Sequence, residues 1–222
     1  IKFVSTGGVL SETAAGTGQQ FFDDEIEAII STAHSLGKKV AAHAHNADGI
    51  NAALRAGVDS IEHGTFADME SWKLFRKTGA YLVPTILAGV TVSEEAAQED
   101  TFFVPSVRDK AIKVGPQLIR TAGEANNQGV NIAFGTDSYV SKHGLNAREF
   151  LLLVEAGLTP LEAIKTATVN GADNLGQSDS LGTLEKGKYA DMIAVDGDPT
   201  KNIDELMDVD FVMKGGVVYK ID

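Results

Sequence analysis

The chain has 222 residues and no cysteine, which excludes disulfides and thiolate metal sites; any metal must use histidine, carboxylate or a modified lysine. A formal charge of −12 argues against nucleic acid and anionic membrane as partners, since both reward clustered Lys and Arg. At 43% hydrophobic and 23% charged residues the chain can bury a core, and no apolar run approaches the roughly 18 residues of a membrane-spanning helix.

Ile1-Lys-Phe-Val4 reads as a strand, followed by the Gly-containing loop Ser5 to Ser11 and a small, polar, flexible loop to Gln20. A chain that starts without Met and inside a strand is expected to lack its true N-terminus, so compartment is unreadable and the cytoplasm stands only as a default. Asp23 or Asp24 is expected to cap a helix over 25–36, apolar at Ile26, Ile29, Ile30, Ala33 and Leu36 and ended by Gly37. Val40 to Ala42 is a strand that stops at His43-Ala-His45. A helix over 47–55, closed by Gly57, leads to a second apolar step at 58–61 that stops at Glu62-His63-Gly64.

The pattern repeats with a helix over 69–77 and a strand over 80–84, where Pro84 cannot donate to a ladder. Residues 85–105 read as a long connection with a solvated acidic run at 94–100. A helical region over 107–127 contains Gly115-Pro116, which should kink or divide it. The strand at 130–134 stops at Gly135-Thr-Asp137-Ser138, and helical patterns follow at 147–155 and 160–174, with Pro160 after an N-cap Thr159. This alternation predicts an α/β fold with a parallel sheet. Beyond 175 the texture turns β-rich: a strand at 189–195, a turn at 197–199, and a hairpin of 209–213 and 217–220 about Gly215-Gly216. The division expected is therefore 1–175 and 176–222.

In a parallel sheet all carboxyl ends share one face, and that face holds the site. Lys2, His43 with His45, His63 and Asp137 fall at such ends, and four of the five histidines lie at a strand end or just after one. Neutral imidazole and carboxylate suit zinc and similar divalent cations, and an aspartate there can serve both as ligand and as general base. Each histidine alone reads equally as a satisfied strand-end residue; the four positions together favour ligation. His143, in Lys142-His-Gly144, reads as loop structure or a substrate contact, and His34 as a helix-surface residue. Gly7-Gly8 lacks the lysine of a phosphate loop and reads as backbone approaching the site.

Taken together, Ile-Lys2-Phe-Val-Ser-Thr-Gly-Gly-Val, Ala-Ala-His43-Ala-His, Ser-Ile-Glu-His63-Gly and Phe-Gly-Thr-Asp137-Ser resemble the amidohydrolase superfamily. Within it the chain is most similar to the prolidase-like branch of metal-dependent carboxypeptidases and dipeptidases, which is also similar to imidazolonepropionase. The similarity runs over essentially the whole chain, including Gly-Thr-Leu-Glu-Lys-Gly-Lys-Tyr-Ala-Asp-Met-Ile-Ala-Val and the final Val-Met-Lys-Gly-Gly hairpin. It implies strands four to eight of a (β/α)₈ TIM barrel over 1–175, and the C-terminal part of a small β-sandwich domain over 176–222. It further implies two divalent metals, zinc by expectation, per full-length site. Lys2 would be carbamylated and bridge them, because an ammonium of pKa about 10.4 repels cations whereas a carbamate offers two anionic oxygens. His43 and His63 would bind one metal and Asp137 the other, with Asp137 also moving the proton from a metal-activated hydroxide to the leaving amine. His45 and His143 would face the substrate.

The implied activity is cleavage of the amide bond of short peptides, of Xaa-Pro dipeptidase or carboxypeptidase type. A cyclic-amide hydrolase and a non-catalytic fragment are the alternatives. One departure stands: the family's His-x-His strand does not precede Lys2, and His43-Ala-His45 sits in the context of strand five. A barrel open in this way would expose strand edges, so self-association into a homo-oligomer is also expected.

Overall fold

The computed structural model describes residues 1–12 and 16–222; part of the predicted flexible loop, at 13–15, lies outside the described residues. Five short strands form one parallel sheet in sequence order: β1 (Lys2–Val4), β2 (Ala41–Asn46), β3 (Ser60–Phe66), β4 (Tyr81–Val83) and β5 (Asn131–Ile132). Helices α1 (Asp23–Ser35), α2 (Ala47–Arg55) and α3 (Met69–Thr78) make the first three crossovers. Two helices, α4 (Ile86–Ala97) and α5 (Pro105–Asn127), join β4 to β5, and α6 (Arg148–Glu155), α7 (Pro160–Ala167) and α8 (Val169–Asn174) follow. The C-terminal strands β6 (Met192–Ala194), β7 (Phe211–Lys214) and β8 (Val217–Ile221) form a separate antiparallel sheet. The α/β alternation with a five-stranded parallel sheet is consistent with a portion of a (β/α)₈ barrel.

Register sorts the side chains into two faces. Phe3, Ala42, Ile61, Leu82 and Ile132 point outward into the apolar core beneath the helices, all but Phe3 under 5% exposed. The inner face alternates with them. Lys2, Ala41, Ser60 and Tyr81 lie side by side in one layer, and Val4, His43, Glu62 and Val83 in the next. The polar and ionisable residues of the sheet are thus concentrated on the inner face.

Local chemistry accounts for most helix ends. Asn46 caps α2 through Ala47 N–H, and Thr159 with Glu162 forms a capping box on α7. At α1 the N-cap is Phe22 rather than Asp23 or Asp24: Glu25 accepts the Phe22 N–H at 2.8 Å, and the two aspartates occupy the first turn, where the helix dipole favours them.

Three further expectations need correction. The stretch read as a connection is helical from Ile86 to Ala97, because its N-terminal N–H groups are capped from far away in the sequence by Glu149. Pro116 does not divide α5. The Ile112 carbonyl that it leaves without a donor receives the Ser93 hydroxyl of α4 at 2.8 Å. Gly115 meanwhile lets α4 approach so closely that a Cβ would stand 3.0 Å from Val90 Cα. The helical pattern at 160–174 is broken at Thr168 into α7 and α8.

Candidate metal centre

β2 and β3 run past the expected stops, so the histidines lie within the strands. His43 and His45, two residues apart, project to one side with ring centroids 4.7 Å apart. His63 on the neighbouring strand lies 4.6 Å from His43 and 4.9 Å from His45. One ring nitrogen from each comes within 4.8 Å of the others, a spacing that a single cation can bridge. His63 adopts φ 72°, inside a strand, followed by Gly64 at φ 62°. Thr85 (φ 49°) and Asp137 (φ 48°) also sit in the left-handed region, in the segments that follow β4 and β5. Such residues cost of order 1–3 kcal/mol each and gather where function demands them.

Hydrogen bonds set the imidazoles. The Thr85 hydroxyl donates to the Pro84 carbonyl (2.8 Å), so towards His63 Nδ1, 2.7 Å away, it accepts. The proton is therefore on Nδ1, and Nε2 carries the lone pair. His45 Nδ1 lies 2.7 Å from the Thr65 hydroxyl, and its backbone N–H donates to Thr6 Oγ1 at 2.9 Å. His43 Nε2 is buried without a hydrogen-bond partner among the described residues. A buried ring nitrogen left open beside two neutral rings is what a ligand to a cation would look like.

Electrostatics keep the cluster neutral. Burial lowers the pKa of His43, and the Lys2 charge lowers it further, with the Gly7 backbone and Asp137 opposing. Burial and then His43 bring His45 down to about 3. Burial, His45, His43 and Lys2 push His63 well below its ordinary value. All three therefore keep their lone pairs at neutral pH. Glu62, inward-facing beside His43, is raised by burial, with its Ser60 hydrogen bond and Lys2 opposing.

A cavity of about 190 Å³ is lined by His43, His45, His63 and Asp137 together. Its remaining wall is apolar, with Val9 from the first loop, Ala88 and Val92 from α4, and Val114 and Leu118 from α5. Gly8 also lines it, and a Cβ there would stand 3.7 Å from His43 Nε2, which bears out the reading of Gly7-Gly8 as backbone at the site. Lys2 is solvent-accessible on the inner face, one layer below His43. His143 lies in the exposed turn before α6, away from the cavity lining. His34 is on the surface, 2.9 Å from Asp59. The residues that sequence reasoning missed are Thr65, Thr85, Glu62 and Glu149. Of these only Glu62 carried a signal, its place beside His63 at a strand end.

Imidazoles held neutral and a carboxylate, lining one cavity at the edge of a parallel α/β sheet, are a donor set that could hold a divalent cation, as the hydrolases built on such sheets do. The chain belongs to the amidohydrolase family, whose model matches residues 1–219. It is similar to a Xaa-Pro dipeptidase solved with methionine in the active site, with a TM-score of 0.95 and 48% identity over 99% of this chain and 54% of that one. A prolidase complexed with N-methylphosphonate-L-proline matches with a TM-score of 0.88 and 30% identity over 99% of this chain and 54% of the other. Ochratoxinase of Aspergillus niger is 34% identical over 99% of this chain and 46% of its own length. The chain thus spans about half the length of these relatives.

Proposed function

We propose that this chain carries the greater part of the active site of a metal-dependent hydrolase that cleaves the amide bond of short peptides, of Xaa-Pro dipeptidase or carboxypeptidase type. One observation carries the reading: His43, His45, His63 and Asp137 line a single cavity, and the buried His43 Nε2 has no hydrogen-bond partner among the described residues. The named activities of the similar dipeptidase and prolidase support peptide amides over other amides.

In this reading His43, His63, Asp137 and a carbamylated Lys2 hold a divalent metal pair, with zinc the first candidate. Bound there, the metal would supply Lewis-acid polarisation of the scissile carbonyl and a water pKa lowered from about 15.7 towards ~7. Carbamylation would reverse the sign of the Lys2 charge, which as an ammonium works against both a cation and protonated imidazoles. Asp137 takes a proton from the attacking water on its carboxylate and returns it to the leaving amine nitrogen. Its exposed position gives it access to both partners. His45, with Nδ1 engaged by Thr65, presents its other nitrogen to substrate, and His143 supplies an outer contact. The apolar wall of α4 and α5 excludes water and packs the substrate side chain. The three-stranded C-terminal sheet is read as part of a small β-sandwich domain, with the boundary at 175.

The test is metal analysis of the protein as its gene encodes it, with hydrolysis assayed over a dipeptide library that includes Xaa-Pro, and over cyclic amides. Bound metal with turnover of dipeptides is expected. Turnover confined to cyclic amides would replace the peptide reading, and a metal-free protein inert to every amide would end it.

A further inference from the structure

Glu149 is the most deeply buried carboxylate among the described residues that the chemistry above does not use: 0% of it is exposed. Its two oxygens accept the first two N–H groups of α4, from Ile86 at 2.9 Å and from Leu87 at 2.6 Å. α4 has no cap of its own. Its N-cap residue, Thr85, makes no side-chain cap bond, because its hydroxyl is turned to Pro84 and His63, and the first turn contains no acidic residue. The neighbouring Arg148 pairs with Glu94 near the far end of α4 at 2.7 Å, so α6 grips α4 at two points.

We infer that Glu149 is a positioning residue: by capping α4 it pins the backbone immediately after Thr85, and so fixes the hydroxyl that orients His63. The physical need is specific. Thr85 is β-branched and sits at φ 49°, ψ 45°, a conformation such residues leave when nothing holds them. Two hydrogen bonds donated by the next two N–H groups to one carboxylate are what holds it. Relaxation of Thr85 towards ordinary backbone angles would swing its hydroxyl away from Nδ1 and free the His63 ring to turn or change tautomer. The same cap places Ala88 and Val92, so the metal side and the apolar wall of the cavity share one anchor. Burial holds the Glu149 pKa up at about 7 against the pull of the two N–H groups, which marks a group kept inside at a cost.

The inference rests on the hydrolase reading only for its kinetic part, so two readouts are used. The first is the long-range ¹H–¹⁵N spectrum of the histidine side chains in metal-free protein. In Glu149→Gln one N–H of α4 keeps an acceptor and the other meets an amide NH₂. The His63 signals should then lose the pattern of Nδ1–H with unprotonated Nε2, while those of His45, held by Thr65 on β3, stay in place. Unchanged His63 signals would overturn the inference, whatever the variant does to the melting temperature. The second readout is a double-variant cycle with Thr85→Val. Each single change should lower kcat by about 10- to 100-fold. If Glu149 acts through Thr85, the double variant should be no slower than the slower single one, and multiplicative losses would refute the path. Should Glu149→Gln fail to fold, Glu149→Asp, which keeps the charge but falls one methylene short of both N–H groups, is read by the same two criteria. If no amide turns over, the hydrolase reading falls, and the histidine spectrum still decides the role of Glu149.

Discussion

Replacing Thr85 by Val tests the orientation of His63 with the least disturbance. Val keeps the β-branch and nearly the volume, so the left-handed strain at φ 49° is unchanged and only the hydroxyl is lost. His63 is 7% exposed, so its Nδ1–H would be buried without an acceptor, a cost of about 1–3 kcal/mol. For a chain of this size that is roughly 2–12 °C in Tm. Loss of the partner that orients a ligand should also weaken zinc binding by about 10- to 100-fold. Thermal melts of the metal-free protein and zinc titration by calorimetry measure both effects. Thr85→Ser is the control: it keeps the hydroxyl and relieves the β-branch, so both values should stay near those of the parent. If Thr85→Val binds zinc as tightly as Thr85→Ser, the hydroxyl does not orient the ring and the tautomer argument fails.

His43→Ala and His63→Ala should each abolish retention of at least one metal and nearly all turnover, whereas His45→Phe should keep the metal and raise KM; metal loss in His45→Phe would move His45 into the ligand set. Acid should destabilise the metal-free protein. His45 is held at about 3 when folded and returns to 6.5 when unfolded, so the unfolded chain takes up the proton, and stability is lost as pH falls from 6.5 towards 3, by on the order of 5 kcal/mol. Glu149 acts in the opposite sense: its folded pKa of about 7 exceeds 4.5, so its contribution is complete below pH 4.5 and is lost as pH rises to 7. Denaturant melts of Glu149→Gln should therefore gain more stability between pH 4.5 and 7 than the parent does, and a parallel profile would refute the assignment. Gly115→Ala should lower Tm, because the new methyl meets Val90 Cα, Ser93 Cβ and the Gly89 carbonyl, each at 3.0 Å; overpacking of this kind costs about 1–3 kcal/mol, and an unchanged melt would show that α4 yields freely.

Much of the fold could be read from local patterns, and the exceptions have a common cause. α2 spans Ala47–Arg55 as expected, because Asn46 caps it and its apolar period is its own. The strand ends with histidine and aspartate stood out because ligand-type residues interrupt apolar runs. α4 escaped because Ile-Leu-Ala-Gly-Val-Thr-Val has β-branched residues, a glycine and no cap, while the group that caps it lies 63 residues from Ile86. Pro116 looked like a break for the same reason: Ser93, which relieves it, belongs to another helix. Thr65 and Thr85 were invisible as partners of His45 and His63 because those pairs are made by the geometry of the sheet, across 20 and 22 residues.

The inner face explains why strain and ligands coincide. In flat register, residues two apart on one strand and level residues on the next share a side, so His43 and His45 project together as a matter of course. His63 aligns with Ala44, whose side chain points outward to the core, so by simple alternation its imidazole would be buried among the helices. The turn to φ 72° at His63, with Gly64 at φ 62° behind it, brings that ring back to the cavity. The left-handed backbone is thus the means by which an out-of-phase position joins the site, and Thr85, itself left-handed, locks the ring once it is there. Position 62 is level with His43 and already faces inward, so an imidazole there would need no such turn; moving it to 62 with Ala at 63 should raise the Tm of the metal-free protein by relieving the left-handed histidine, and an unchanged or lower Tm would refute the argument.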